Sequence, residues 1–510
     1  MPDIFYLSSH PGFFNWMGRA KRAIAIIAWV MLVMGVWSCN SGSEIPQRGA
    51  EQFELGVMAV DITPPIGYNM YGYPPVKSTG INDSLYAKAL VFKQGDTKGA
   101  LLICNLLGIP RDLSRVVREE VSKEIGIPFQ NITVSATHTH TAPGITREFQ
   151  NYIEKRESGS SSDSEVEHYF EFLIRGMVKA VTAAYGNRRP VRIKSGIGQA
   201  EGVSFNRRYL MTDGKVRFNP GRSNQKIVSP AGPVDPDVHV ILFQVDDHPT
   251  YNASLSVFSS HYVRGGTEFS ADYPYFIEKE LKSTLGKEFV SVFGLGACGD
   301  VNTVDVTGAK VESSDDKVES MGNTLAEIVK GVAQNSKINT PDFGVSTRVI
   351  YLPLQDYSEE ELEWSKSGTL GFYPERPFLE QRRRLKISEW GVQPPLEQLR
   401  LREAIPPSVS GEPWRLPVEI HVFKLDSETA IVTMPGELFV ELGIELKRQS
   451  PFNNTMLIEL ANADIAYVPT ARAFEEGDYE AINSRLAPGS GEKMVEVAVE
   501  MLNELFREDH

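Results

Sequence analysis

The stretch Ile132-Thr133-Val134-Ser135-Ala136-Thr137-His138-Thr139-His140-Thr141-Ala142-Pro143-Gly144 sets the terms for the whole chain. Its opening residues are apolar and β-branched, the make-up of a short strand feeding a loop. Residues two apart on a strand share a face, so His138 and His140 are expected to leave the sheet on one side. Pro143 and Gly144 then end the strand, which puts the pair at its C-terminal mouth, where α/β folds build sites. Two of the chain's nine histidines share this turn. Neutral imidazole is the commonest metal ligand and a general base near pH 7. His-x-His is nevertheless short and degenerate, and backbone carbonyls at a strand end satisfy imidazoles equally well. By itself the pair leaves metal binding, catalysis and plain structure open.

Outward from this stretch, strand-like and helix-like segments alternate. Strands are expected over 56–63, 86–93, 100–106, 191–197, 238–245, 253–259, 289–293, 419–425, 429–433 and 456–460. Helices are expected over 112–125, with Asp112 as N-cap, and over 165–185, 273–285, 320–333 and 492–506. Residues 158–164 read as a polar loop, and 358–402 as one or two charged, Leu-rich surface helices. Interleaving of this kind predicts a mixed, layered α/β fold, and no internal repeat or linker divides it. With 510 residues, 41% of them hydrophobic and 10% aromatic, the composition is that of a globular protein. A net charge of −14 without a basic stripe argues against a nucleic-acid surface, and gives no attraction to anionic membranes.

The N-terminus has a different character. Arg19, Lys21 and Arg22 precede an apolar run over 23–37 that ends at Ser38-Cys39. A basic region followed by a short apolar one is the pattern of an export signal, and the run is short for a membrane span of about 20 residues. Val36-Trp37-Ser38-Cys39 resembles a bacterial lipobox, in which the cysteine becomes the lipidated first residue, and Met17 is an alternative start. A cleaved secretory signal and a membrane anchor are the simpler alternatives. The chain is thus expected to consist of an export signal over 1–39, a polar tether over 40–55 and one catalytic domain over 56–510. It would be an exported lipoprotein of the periplasm, outer membrane or cell surface, touching the membrane through the lipid on Cys39 alone. That leaves Cys104 and Cys298, which make neither a disulfide scaffold nor a thiolate zinc site. Any metal then rests on histidine and oxygen ligands.

Further short segments fall in a telling order along the chain. They run Ala59-Val60-Asp61-Ile62-Thr63, Thr137-His138-Thr139-His140, Val203-Ser204-Phe205-Asn206-Arg207, Ser259-Ser260-His261-Tyr262 and Phe269-Ser270-Ala271-Asp272-Tyr273. Met434-Pro435-Gly436-Glu437-Leu438, Asn462-Ala463-Asp464-Ile465-Ala466-Tyr467 and Glu475-Glu476-Gly477-Asp478-Tyr479-Glu480 follow. Together they resemble the neutral/alkaline ceramidases, from about residue 56 to the C-terminus. The last helix resembles the end of that family's catalytic domain, so its C-terminal immunoglobulin-like domain is expected to be missing.

The resemblance implies one zinc ion per chain, held by His138, His261, Glu437 and Tyr467. It implies that His140, Arg207 and Tyr479 hold or polarise the scissile amide. The activity it implies is zinc-dependent hydrolysis of an N-acyl bond by metal-activated water, with ceramide or another N-acyl compound as substrate. At Gly299-Asp300-Val301-Asn302 the chain departs from the family, whose serine is replaced by Asn302. Asparagine is no acyl nucleophile, but its amide can hydrogen-bond a substrate. Two other readings stand beside this one. An exported zinc hydrolase would act on ester, N-acyl or other linkages of glycans. A non-catalytic surface lipoprotein would keep the fold and only bind.

Overall fold

Phe92, Phe243 and Phe423 are fully buried and meet in one apolar layer, with ring centroids of Phe92–Phe243 and Phe92–Phe423 both 6.3 Å apart. Phe92 and Phe243 belong to one sheet and Phe423 to another, so this layer is a sheet-on-sheet interface. The structure, a computed structural model, describes residues 52–507 except 72–75, 161–163, 247–250, 263, 309–312, 367–376, 391–407 and 410–411. The export signal, Cys39 and most of the tether lie outside the described residues, as does much of 358–402.

The larger sheet has the order Val290–Leu295, Ala253–Phe258, Asp237–Val245, Arg189–Gln199, Glu54–Asp61, Tyr86–Gln94, Thr97–Cys104 and Ile132–Ala136, with Ile338–Asn339 also paired to Arg189–Gln199. Its neighbours are antiparallel except at the two ends, where Ala253–Phe258 pairs in parallel with Val290–Leu295, and Thr97–Cys104 with Ile132–Ala136. The smaller sheet runs Pro341–Pro353, Arg415–Asp426, Thr429–Thr433 and Asn454–Ile458. Alternation along each strand assigns side chains to layers. In Thr97–Cys104, Leu101 and Ile103 face the second sheet, while Ala100, Leu102 and Cys104 face helices. In Arg415–Asp426, Phe423 and Leu425 face the first sheet and Leu416, Val418 and Ile420 the opposite side. Strands buried on both faces read as continuous apolar runs, which is why they stand out in the sequence.

Helices cover both outer faces. Arg111–Ile125, Glu165–Gly186, Tyr273–Leu285 and Ser314–Asn335 pack on the larger sheet, and Val440–Gln449 and Ser490–Arg507 on the smaller. The result is a four-layer helix–sheet–sheet–helix sandwich, which bears out the layered α/β reading. Some local details differ. The first strand starts at Glu54, inside the expected tether. Pro110 occupies the N-cap of the helix over Arg111–Ile125, and Asp112 lies in its first turn, where a carboxylate favours the helix dipole. Residues 146–158 form a helix, Thr146–Ser158, that ends where the loop was expected to begin. Pro341–Pro353 was not anticipated. It is an edge strand, mostly half-buried, whose apolar residues Val349, Ile350, Tyr351 and Leu352 gather at its far end.

Phe423→Ala is expected to lower stability by about 3–5 kcal/mol, because the aromatic layer between two sheets cannot collapse into the space left. The fall would be read as a lower urea midpoint for unfolding.

Candidate metal centre and active site

Thr97–Cys104 and Ile132–Ala136 run side by side in the same direction, so the loops that follow them open next to each other. His138 sits in the second loop, and its Nδ1 lies 2.7 Å from the carbonyl oxygen of Leu107 in the first. A carbonyl only accepts, so Nδ1 carries a proton and Nε2 is the nitrogen turned towards Glu437. The strand ends at Ala136, and His138 turns into the left-handed region at φ 62°. The two imidazoles therefore do not share a strand face, as expected from the sequence; a folded-back loop brings them together instead. Their centroids are 4.9 Å apart and the rings nearly perpendicular at 87°. Thr139 and Thr141 pin this loop, donating to the Ser270 carbonyl at 2.7 and 3.0 Å. Ser270 in turn donates to Asp83 at 2.6 Å.

His261 follows the strand Ala253–Phe258, and its ring lies 4.5 Å from that of His138 and 4.9 Å from that of His140. Each of the three imidazoles offers a nitrogen, and these nitrogens lie within 4.8 Å of one another. Glu437 arrives from the second sheet. Its Oε2 is 3.6 Å from His138 Nε2 and 3.8 Å from His261 Nδ1. Close backbone approach makes this possible. Gly436 has φ 85°, and a Cβ there would come within 2.8 Å of the Ala466 carbonyl oxygen and of Val468. A Cβ on Gly299 would lie 2.5 Å from the Glu437 carbonyl oxygen. Glu437–Leu438 pairs in parallel with Tyr467–Val468, which sets Tyr467 beside the carboxylate. The Tyr467 phenol shares hydrogen bonds with Glu437 and Arg207.

Arg207 is buried and held on three sides. Its Nε donates to Glu480 at 2.9 Å and Nη2 to the Gly299 carbonyl at 2.6 Å, and Nη1 is 3.5 Å from His261 Nδ1. The other oxygen of Glu480 accepts from Arg208 at 3.0 Å. Glu480 is fully buried. Its neighbour Tyr479 was singled out in the sequence and Glu480 was not, although it anchors the arginine. Tyr479 stacks on Phe218 at 4.8 Å and stands edge-on to Tyr467 at 5.8 Å. Asn302 bridges to the backbone of His261, donates to Asn219 at 3.3 Å and accepts from the Val304 amide at 2.8 Å. Asn105 is a strand-end tie, accepting from the Tyr86 amide at 2.9 Å and donating to Thr137 at 3.3 Å.

His138 Nε2, His140 Nε2 and Glu437 Oε2 are buried and have no hydrogen-bond partner among the described residues. Leaving such groups unpaired costs about 1–3 kcal/mol each. Burial first, then His138 and Arg207, push the His140 and His261 pKa values well below the ordinary imidazole range, so both rings stay neutral. Burial also raises the Glu437 carboxyl. Neutral imidazoles around a carboxylate form a donor set that fits a divalent cation with nitrogen and oxygen ligands. Other histidines are engaged elsewhere: His239 with Asn454 at 2.7 Å, and His421 with Asn462 at 2.8 Å. Backbone strain gathers at the site, since Ala466 and Asp478, directly before Tyr467 and Tyr479, have φ 62° and 74°.

The family model described as neutral/alkaline non-lysosomal ceramidase, N-terminal, matches residues 53–350. A neutral ceramidase of Mycobacterium tuberculosis is 22% identical over 467 residues, covering 80% of this chain and 70% of that protein. A neutral ceramidase of Oryza sativa is 23% identical over 252 residues, 48% of this chain and 30% of that protein. The crystal structure of neutral ceramidase from Pseudomonas aeruginosa superposes with a TM-score of 0.65 at 17% identity, covering 90% of this chain and 75% of that one. A structure of ceramidase complexed with C2 gives the same TM-score, with 76% of that chain covered. Both structural likenesses are likenesses of fold.

Asp272 heads the helix Tyr273–Leu285 just beyond the Ser270 anchor, with φ 58°. Burial pushes its carboxyl up to about 7. The folded state therefore holds a proton that the unfolded chain releases near pH 4. Its contribution is most favourable below that pH and is lost as the pH rises towards 7, on the order of 4 kcal/mol in total. Asp272→Asn is expected to gain thermal stability relative to the parent as pH rises from 5 to 8. A gap between the two melting temperatures that stays constant over that range would contradict this.

Proposed function

From the premise that the chain belongs to the neutral/alkaline non-lysosomal ceramidase family, we propose that it is a zinc-dependent amidohydrolase acting on ceramide or another N-acylated compound. The observation that carries the proposal is the convergence of three imidazoles and a buried carboxylate with unpaired donor atoms. His138, His261, Glu437 and Tyr467 would hold the zinc. When bound, zinc supplies Lewis acidity that lets a water ionise near neutral pH.

The side chains around it have separate tasks. His140 is the most exposed of the three histidines, stays neutral and keeps Nε2 free, so it takes the proton of the attacking water. It then returns that proton to the departing nitrogen. Arg207 and Tyr479 donate to the carbonyl oxygen as negative charge grows on it. Arg207 needs little rearrangement, because Glu480 and the Gly299 carbonyl already fix it. Asn302 braces the His261 loop and offers its amide to the substrate. The amide and one water become a carboxylate and an amine, and the amine is protonated at neutral pH. The catalytic domain is proposed to begin at about residue 53, just before the first strand, and to be exported and tethered by lipid on Cys39.

His138→Ala and His261→Ala are each expected to lose both activity and bound zinc, from about one ion per chain to none by elemental analysis. Tyr479→Phe is expected to keep its zinc while kcat falls on the order of a hundredfold. Full activity in Tyr479→Phe would remove its oxyanion role. A parent protein that takes up no zinc would leave binding without hydrolysis.

A further inference from the structure

Phe218 returns to the site on a hairpin that begins directly after Arg207. The strand Arg208–Met211 runs out, the chain turns at Gly214 with φ 76°, and Val216–Phe218 comes back to set Phe218 opposite Arg208. The Phe218 ring stacks on Tyr479 at 4.8 Å and 27°. The Arg207 guanidinium carbon lies 5.1 Å from the centroid of the same ring. One half-buried aromatic side chain thus touches both candidate oxyanion donors. Phe378 also lies nearly parallel to Tyr479, but at 6.2 Å, and it is 53% exposed.

Backbone ties fix where the Phe218 ring stands. The Asn219 amide donates to the Arg207 carbonyl at 2.7 Å, and the Asn219 side-chain oxygen accepts from Asn302 at 3.3 Å. Asn302 bridges in turn to the backbone of His261, so the end of the hairpin is joined to the loop of a proposed zinc ligand. From the other side, the Asp478 carboxylate accepts from the Tyr479 amide at 2.7 Å and from the Phe218 amide. Asn219 and Asp478 both have left-handed φ, at 37° and 74°, a conformation kept only where neighbours over-determine it. Stacked rings attract beyond the area they bury, and the attraction depends on offset and tilt.

We propose that Phe218 is a positioning residue for Tyr479, fixing the plane of the phenol and so the point to which its hydroxyl donates. Its effect on turnover rests on the amidase reading above; its hold on Tyr479 does not. A phenylalanine ring neither donates nor accepts a proton, so Phe218 reaches the reaction only through its neighbours. Arg207 is already held by Glu480 and the Gly299 carbonyl, which leaves Tyr479 as the donor that depends on the ring. Without Phe218 the phenol regains torsional freedom, and its hydroxyl no longer waits where the oxyanion forms. An interaction made only as that charge grows is read in kcat and not in KM.

The test measures hydrolysis of a dodecanoyl ceramide, zinc content and urea unfolding on the full chain and its variants. Phe218→Leu is expected to lower kcat about tenfold, with KM within about twofold and zinc retained. Phe218→Tyr keeps the ring and is expected to stay within about twofold of the parent. In the Tyr479→Phe background, Phe218→Leu is expected to cost less than about twofold, because the hydroxyl it places is already gone. In urea, Phe218→Leu and Tyr479→Leu together are expected to lower the midpoint by less than the sum of their separate effects, since both remove one contact. Should Phe218→Leu not fold, Asn219→Gly releases the tie to Asn302 without backbone strain and is expected to lower kcat about threefold, again only when Tyr479 is present. An equal kcat loss in both backgrounds, a loss that falls on KM, or additive effects in urea would overturn the proposal. An inactive parent with non-additive midpoints removes the amidase reading and keeps the hold of Phe218 on Tyr479. An active parent whose kcat Phe218→Leu leaves unchanged removes the positioning role alone.

Discussion

Face-to-face packing of two sheets is the constraint on which the rest depends. The histidines come from loops at the ends of strands in the larger sheet. Glu437 and Tyr467 come from segments that follow strands of the smaller one. They reach each other because the aromatic layer of Phe92, Phe243 and Phe423 fixes the separation of the sheets. His138 follows the strand at one edge of the larger sheet and His261 the strand next to the opposite edge, so both ends of that sheet contribute to the site. Packed interiors tolerate little adjustment, so a shift in that layer would move one half of the site against the other.

Around the site the protein buries charge and then compensates it. Glu480 accepts from both Arg207 and Arg208. Glu459, also fully buried, accepts the amides of Leu438 at 2.7 Å and Cys298 at 3.3 Å, and the Cys298 thiol donates to its other oxygen at 3.0 Å. That bond to Leu438 holds the residue directly after Glu437. Arg118 and Glu419 form a two-pronged pair at 2.7 Å that also meets Asn462 at 3.3 Å. Such pairs add little net stability over apolar packing, yet breaking one leaves a buried charge uncompensated. Their effect is to give each functional side chain a single position.

The cost of that positioning is visible in the backbone. Non-glycine residues take left-handed conformations at His138, Asp272, Ala466 and Asp478, each at or beside a group of the site. Such conformations persist only where surrounding contacts over-determine them. They are also where reading from local pattern failed. The His-x-His pair was placed correctly at a strand mouth, but strand alternation was the wrong mechanism, because the strand stops two residues before His138. Glu480 was passed over because nothing local marks a carboxylate that will be buried between two arginines 272 and 273 positions away. The edge strand Pro341–Pro353 escaped notice although Val349, Ile350, Tyr351 and Leu352 form an apolar run near its end.

What the sequence by itself determined is what short-range physics encodes. Apolar runs gave the central strands, helical spacing gave the main helices, and ordered short motifs named the histidines, Glu437, Tyr467, Arg207 and Tyr479 as a group. The tertiary structure alone decided how that group converges. It stacked the sheets, turned the histidine loop, and buried Glu480 under Arg207 and Arg208. Those outcomes rest on contacts between residues hundreds of positions apart, and no local pattern carries the free energy of such a contact.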